Sequence, residues 1–151
     1  MLNDLGTYYL RIRHFSRMRV GAYGVEMSIG DGPPPPPGDD FGNTPETAGR
    51  IQAGEEVGAE LEEQGDIDHF LFYPDQTGLW RAETLGNLDT TCLLLTEMGE
   101  RLASNDDNDG NMNCQIDYSL VANEGYIFVV RGFVDREQGM YTVRTTYIPE
   151  E

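Results

Sequence analysis

The sequence predicts an all-β protein, an antiparallel β-sandwich with a jelly-roll-like arrangement of strands. Three observations support this prediction. The chain has 151 residues with 18 Gly and 8 Pro, as a protein with many turns requires. Apolar and polar residues alternate with period two, for example at Cys114, Ile116, Tyr118 and Leu120. A single sandwich needs about 100 residues, so the chain has room for one such domain and an additional segment.

Short strands separated by turns are predicted throughout the chain after residue 38. The predicted strands are residues 56–60, 69–73, 78–84, 90–97, 114–120, 125–131 and 139–147. Residues 44–49 are expected to form a helical turn instead, because Pro45 stands where proline favours the start of a helix. Trp80, the only tryptophan, is expected to lie in the core rather than to stack on a ligand.

An unbroken proline run at 33–37 divides the chain. Proline cannot donate to a strand ladder, so the run predicts a stiff polyproline II spacer. We therefore expect a linker at 31–38 and a domain at 39–149. Residues 1–30 contain two strand-like stretches in which Phe15 is followed by Gly-x-Tyr-x-Val, and Phe133 is followed by the same pattern at the same distance. We interpret residues 1–30 as the C-terminal hairpin of a preceding, truncated repeat.

The net charge of −17 is unevenly distributed along the chain. All ten basic residues are Arg; residues 1–30 have four of them and two acids, whereas residues 31–151 have six against 25 acids. Phosphates would be repelled by this charge, which argues against nucleic acid and anionic membrane surfaces as partners. No apolar run approaches the roughly 20 residues of a membrane helix, so membrane insertion is not expected. The charge favours cations, basic partners, or simply solubility.

Acidic and amide side chains are concentrated in three clusters. The first follows the proline run, the second precedes a predicted strand, and the third lies between two strands. Calcium takes about six to eight oxygen ligands from flexible loops, and these are the right ligand types. The candidate metal ligands are Asp39, Asp40, Asn43, Asp66, Asp68, Asp106, Asp107 and Asp109. The simpler explanation, acidic turns selected for their backbone geometry alone, stays open.

The third cluster fails as an EF-hand loop. If Gly110 takes the glycine position of such a loop, Ile116 falls where a bidentate Glu is required. Catalytic groups are equally scarce, because the chain has only two histidines and no nucleophile elbow, zinc motif or phosphate-binding loop. His69 is expected to be a structural or surface residue. We predict no catalytic residues and no enzymatic activity.

Cys92 and Cys114 allow two interpretations. Both lie in strand-like runs where small apolar residues would serve, so two buried thiols are one reading. A single disulfide between neighbouring strands is the other. The residues alone do not decide between them.

Several motifs in order resemble the bacterial pre-peptidase C-terminal domain over roughly residues 39–148. Their sequences are Asp39-Asp40-x-Gly42-Asn43-Thr44, Gly65-Asp66-Ile67-Asp68-His69-Phe70, Gly86-Asn87-Leu88-Asp89-Thr90, Leu102-Ala103-Ser104-Asn105-Asp106-Asp107 and Gly139-x-Tyr141. The resemblance implies a jelly-roll-like sandwich that is found in tandem on secreted bacterial proteins and is non-catalytic. In the collagen-binding members, calcium ligands come from positions that correspond here to Asp39, Asp40 and Asn43, and to Asp66 and Asp68.

The resemblance therefore implies an accessory or binding module of a secreted or cell-surface bacterial protein, stabilised by calcium. Its expected partner is a protein or an extracellular polymer, and an extracellular location favours a Cys92–Cys114 bridge. An alternative function is a structural repeat unit of an extracellular fibre or array. In that case residues 1–30 would self-associate with another copy through their exposed strand edges.

Overall fold

The structure of the protein is a computed structural model, which describes residues 38–108 and 110–150. The predicted hairpin at 1–30, nearly all of the linker at 31–38, and Asp109 lie outside the described residues. Within the described ranges no helix is long and apolar enough to cross a membrane.

Nine strands and a short 3-10 turn make up the described chain. The turn is Pro45–Thr47, and the strands are β1 (Gly49–Arg50), β2 (Glu56–Leu61), β3 (Ile67–Phe72), β4 (Gly78–Leu85), β5 (Thr90–Thr96), β6 (Arg101–Asn105), β7 (Gln115–Leu120), β8 (Tyr126–Gly132) and β9 (Gly139–Ile148). The strands form sheet A, in the order β1-β3-β8-β5-β6, and sheet B, in the order β2-β9-β4-β7. All pairings are antiparallel except β1 with β3. The predicted antiparallel sandwich is confirmed.

All seven predicted strands are present, with ends that differ by one or two residues. Two strands were missed. β1 has only two residues, and β6 is a polar edge strand with no fully buried residue, so neither has the alternation on which the prediction depends. The predicted helical turn is confirmed as the 3-10 turn that begins at Pro45.

The core lies between the two sheets and is rich in aromatic side chains. Phe70 and Phe72 of β3 and Phe128 of β8 are fully buried on the inner face of sheet A. Trp80 of β4 is 3% exposed and donates its indole N–H to the carbonyl of Gln76 at 2.9 Å. Its predicted place in the core is confirmed.

A disulfide joins Cys92 of β5 to Cys114, the residue before β7, so it links sheet A to sheet B. The two Cα atoms are 5.8 Å apart. Buried beside it, the hydroxyls of Thr84 and Thr90 share a hydrogen bond of 2.6 Å, and both accept from the backbone N–H of Cys114. The disulfide therefore lies in a part of the core that solvent does not reach.

The outer faces of the two sheets differ in chemistry. On sheet B, Arg81 makes a two-pronged ion pair with Asp117, and Arg144 binds Glu83 at 2.8 Å and Glu56 at 3.1 Å. On sheet A, the corresponding face has a second apolar cluster away from the main core. It is made of Leu71, Leu95, Ile127 and Val129.

Candidate metal site

The candidate site forms where residues 39–43 cross the start of β3. Asn43 Oδ1 accepts the backbone N–H of Ile67 at 2.8 Å, and the Phe41 ring packs on Phe70 with centroids 4.3 Å apart. Gly42 has no room for a side chain, because an added Cβ would clash with the side chain and the backbone carbonyl of Thr47. These contacts bring the segment against the connection between β2 and β3.

His69 helps to hold this segment in place. Its Nδ1 lies 3.1 Å from the carbonyl oxygen of Gly42, so a proton on Nδ1 donates to that carbonyl. Burial lowers the pKa of His69, which favours the neutral imidazole. The expectation of a structural histidine agrees with this arrangement.

Four carboxylates meet at the site. Asp39, Glu62, Asp66 and Asp68 each present an oxygen, and these four oxygens lie within 4.8 Å of one another. Asp68 shares the inner face of β3 with Phe70 and is fully buried, and Asp66 is 6% exposed. The cluster can therefore hold a metal ion at the edge of the core.

Three of the four residues keep one buried carboxylate oxygen that lacks a hydrogen-bond partner. Asp39 Oδ2 accepts from Asn43 at 3.1 Å, Glu62 Oε1 accepts from the Asp40 N–H at 2.9 Å, and Asp68 Oδ2 accepts from the Tyr141 hydroxyl at 2.5 Å. The other oxygens, Asp39 Oδ1, Glu62 Oε2 and Asp68 Oδ1, are buried and unpartnered. A buried anionic oxygen without a donor costs free energy unless a cation balances it.

Backbone donors fix the remaining acidic groups. Asp66 accepts the N–H groups of Glu62 and Ile67 through its two oxygens, both at 2.9 Å. Asp40 accepts the N–H of Glu60 at 3.0 Å. Asp66 thus joins the end of β2 to the start of β3, and Asp40 holds residues 39–43 against β2.

The pKa values of these acids reflect burial among like charges. Burial, together with the charges of Asp40, Asp66 and Glu62, raises the pKa of Asp68 to about 8, although the Tyr141 hydrogen bond acts in the opposite direction. Burial and the contact with Asp66 raise the pKa of Glu62 to about 7. Burial also raises the pKa of Asp39 and of Asp40. A cation among these groups would favour their ionised forms.

The predicted ligands are divided by the structure into two groups. Asp39, Asp66 and Asp68 converge, while Asp40 and Asn43 lie beside them and contribute hydrogen bonds. Asp106 and Asp107 belong to the turn between β6 and β7, away from this cluster. Burial, together with the charges of Asp107 and Asp106, raises the pKa of Asp89. Asp109 is outside the described residues.

Glu62 was missed by the sequence reasoning. It belongs to the run Glu60-Leu61-Glu62-Glu63, which looks like an ordinary solvated stretch. The only available signal was its position at the end of the strand that precedes the second acidic cluster. Glu62 joins the cluster and Glu63 does not, because the path of the chain after β2 brings the Glu62 carboxylate close to the other acids.

Comparisons with known proteins give a likeness of fold. No family model matches the chain, and neither does any curated protein. The crystal structure of the pre-peptidase C-terminal domain of a collagenase from Bacillus anthracis matches it with a TM-score of 0.52 and 19% identity, over 64% of this chain and 91% of that one. This chain has the fold of a pre-peptidase C-terminal domain.

A second solved structure is a periplasmic inhibitor of g-type lysozyme from Aeromonas hydrophila. It has 12% identity and a TM-score of 0.49, over 64% of this chain and 94% of that one. At 19% identity, the first likeness describes the architecture of the sandwich alone.

Proposed function

We propose that the chain is a non-catalytic accessory or binding module of an extracellular, cell-surface or periplasmic protein, and that a bound calcium ion stabilises it. Asp39, Glu62, Asp66 and Asp68 would hold the ion. The observation that carries the proposal is the set of three buried, unpartnered carboxylate oxygens, which belong to three of the four acids of this cluster.

The chemistry of the donor set favours calcium over softer metals. Every side chain in the cluster offers oxygen, whereas zinc and copper sites in proteins typically include histidine nitrogen or cysteine sulfur among their ligands. Asp39 comes from the segment before the 3-10 turn and the other three acids from the β2–β3 connection and β3, so the ion would join two parts of the chain. Its contribution would be charge neutralisation and cross-linking of these parts, as in other stabilising sites.

The disulfide supports a location outside the cytoplasm, because such bridges persist in oxidising compartments. The likeness of fold to a domain of a collagenase supports an accessory role. The partner would be a protein or an extracellular polymer. Self-association through residues 1–30 stays a prediction, because those residues lie outside the described part of the chain.

Thermal unfolding in calcium and in chelator tests the metal claim. At a calcium concentration about 100 times Kd, a ligand of the folded state stabilises it by about 2.7 kcal/mol. For a domain of this size the unfolding midpoint should rise by on the order of 10 °C. Glu62→Gln should remove most of this rise, because it takes away one of the anionic oxygens.

Glu63→Gln is the matched control. Glu63 is exposed, adjacent in sequence and outside the group of four. This variant should keep most of the calcium-dependent rise, and so should Asp107→Asn in the other acidic cluster. The metal claim fails if calcium leaves the wild-type midpoint unchanged, or if Glu62→Gln and Glu63→Gln respond alike.

A further inference from the structure

A groove lined largely by amide side chains lies between the β4–β5 turn and the end of the β6–β7 turn. This amide groove has room for about 280 Å³, and its lining residues are Gly86, Asn87, Gly110, Asn111, Met112 and Asn113. Three of the six are asparagines, so the groove offers hydrogen-bonding groups that carry no charge of their own.

Hydrogen bonds join the two walls of the amide groove. The N–H of Thr90 donates to the carbonyl of Met112 at 3.0 Å, and Asn113 Nδ2 donates to the carbonyl of Gly86 at 3.1 Å. The second contact also fixes the orientation of the Asn113 amide. The groove is therefore part of the folded structure rather than a gap between unconnected turns.

Asn113 keeps an unused hydrogen-bond acceptor. The residue is 9% exposed, and its Oδ1 is buried without a hydrogen-bond partner. A buried amide oxygen without a donor costs the folded state free energy. A ligand that brings a hydrogen-bond donor to this wall of the groove would recover that free energy.

Acidic side chains from three turns lie close to one another beside the groove. Burial raises the pKa of Asp89 in the β4–β5 turn, and so do the nearby charges of Asp107, Glu137 and Asp106. The N–H of Phe133 donates to the carbonyl of Asp89 at 3.0 Å, which brings the β8–β9 connection to the same place. Like charges that are held together in this way favour a positively charged ligand.

Two large apolar side chains are exposed in the same region. Met112, which lines the groove, is 54% exposed, and Phe133, which is hydrogen-bonded to Asp89, is 57% exposed. Methionine and phenylalanine are enriched in protein interfaces, whereas solubility alone does not require them on an acidic surface. The surface therefore offers apolar contacts as well as negative charge.

The acids beside the groove do not form a metal site. Among residues 38–108 and 110–150, the only acids that bring three or more ligand atoms within 4.8 Å of one another are those of the candidate calcium site. The acids beside the groove are more widely spaced. A cationic group on a longer side chain fits this spacing better than a bare ion does.

We propose that the amide groove binds a lysine side chain of a partner protein. The ammonium group would donate to Asn113 Oδ1 and lie beside Asp89 and Asp107, and the aliphatic part of the side chain would lie against Met112. Phe133 would contact the partner next to the lysine. This inference rests on the proposed function and deepens it, because it names the chemistry by which the module recognises a protein partner.

The chemistry of lysine matches each of these features. Its ammonium group has three donors and no acceptor, so it can satisfy an amide oxygen and a carboxylate together. Its four-carbon stem covers apolar surface while the charge stays at the tip. The planar guanidinium of arginine suits a carboxylate that accepts two parallel hydrogen bonds, whereas the unpartnered acceptor here is the single amide oxygen of Asn113.

NMR titration of the calcium-loaded full chain with the blocked tripeptide acetyl-Gly-Lys-Gly-amide tests the proposal. We expect saturable shifts of the side-chain amide signals of Asn87 and Asn113 and of the methyl signal of Met112. The same peptide with an acetylated lysine should bind about tenfold more weakly, because acetylation removes the charge and leaves a single donor. Equal affinities for the two peptides, or shifts confined to other residues, would overturn the proposal.

Matched variants locate the binding site. Asp107→Asn and Met112→Gln should each weaken binding of the lysine peptide severalfold. Asp75→Asn and Met98→Gln are the controls, because they change an exposed acid and an exposed methionine in the turns at the opposite ends of β4 and β5. These controls should leave the affinity unchanged. If the variants and their controls behave alike, the peptide responds to the overall negative charge and the proposal fails.

Two variants separate the groove from the calcium site. Glu62→Gln should lose most of the calcium-dependent rise of the unfolding midpoint and keep the peptide affinity, whereas Asp107→Asn should do the reverse. If calcium has no effect on the midpoint and the peptide still binds at the groove, the metal claim fails and the lysine site stands. Peptide binding that is lost in Glu62→Gln and kept in Asp107→Asn would place the lysine at the calcium site and overturn the proposal.

Discussion

Two acidic regions of this chain look alike in sequence and differ in structure. Around the start of β3, four acids bring carboxylate oxygens within 4.8 Å of one another, and three of these acids keep a buried oxygen without a hydrogen-bond partner. In the β6–β7 turn, Asp106 and Asp107 are exposed, and the turn is closed by backbone hydrogen bonds between Asn108 and Asn111. The acids of the first region are candidate metal ligands, whereas the second region is a turn held by its own backbone hydrogen bonds.

The difference shows that acid content alone does not define a metal site. Exposed carboxylates are stabilised by water and need no ion, so a cluster of them in a turn costs the folded state little free energy. Carboxylates at the edge of a core lose that water, and an ion restores the balance. Both regions have a buried oxygen without a hydrogen-bond partner, but at the end of the β6–β7 turn it is the neutral amide oxygen of Asn113, so burial of unpartnered carboxylate oxygens is the feature that separates the two regions.

Reduction of the disulfide gives the largest expected effect on this comparison. Cys114 lies directly after the β6–β7 turn, so opening the bridge should cost about 3 kcal/mol of unfolding free energy and loosen residues 106–113. The site carboxylates are held by hydrogen bonds from residues 40–43, from the β2–β3 connection and from Tyr141, none of which involves the disulfide. The calcium-dependent increase in unfolding free energy should therefore persist after reduction. Urea unfolding with and without reductant, each in calcium and in chelator, measures both effects. Loss of the calcium shift on reduction would show that the regions are not independent.

The pH dependence of stability separates the regions next. Raised carboxyl pKa values, about 8 for Asp68 and about 7 for Glu62, mean that the folded protein holds these protons more tightly than the unfolded chain. Without calcium, their contribution to stability is therefore present at low pH and is lost as the pH rises from about 4 to about 8.

Thermal unfolding at pH 5 and pH 8 measures this dependence. Because calcium requires the ionised carboxylates, the calcium-dependent rise of the midpoint should be larger at pH 8 than at pH 5. Asp68→Asn should flatten the pH dependence seen without calcium, whereas Asp106→Asn should not. An equal calcium effect at both pH values would contradict the assignment.

Tyr141→Phe should give the smallest effect. The hydroxyl donates to Asp68 Oδ2 and orients the carboxylate, so its loss should weaken calcium binding about tenfold, as for other residues that support a ligand. Isothermal titration with calcium checks this. Tyr147→Phe is the control, because Tyr147 packs on Trp80 at 5.6 Å between centroids and is not hydrogen-bonded to the site acids. Equal affinities for the two variants would leave Tyr141 with a packing role only.

The architecture could be predicted because strands with one buried face leave a period-two pattern in the sequence. That pattern is clear in β7 and β9, and it disappears in β6, which has no fully buried residue. The pairing order of the strands has no such signature. Non-local pairing depends on the whole set of strands, so the two sheets emerge only in the structure.

The site was predictable in type and less so in membership. Asp66 and Asp68 flank the start of a strongly apolar strand, so their proximity to the core could be inferred from position. Glu62 and Glu63 are neighbours of the same type, and only the folded chain directs one of them towards Asp66. A sequence with 27 acids contains too many candidates for composition to select four.

The hydrogen bonds of Asp40 and Asp66 also have a consequence for solubility. Among the strands that the structure describes, β2 lies at an edge of sheet B, and an open edge offers amide groups to strands of other molecules. Here the Glu60 amide is taken by Asp40, and the Glu62 amide just beyond the strand is taken by Asp66. The carboxylates of Asp40 and Asp66 thus occupy amide groups with which a strand of another molecule would pair. Their negative charge also disfavours such pairing at this end of β2.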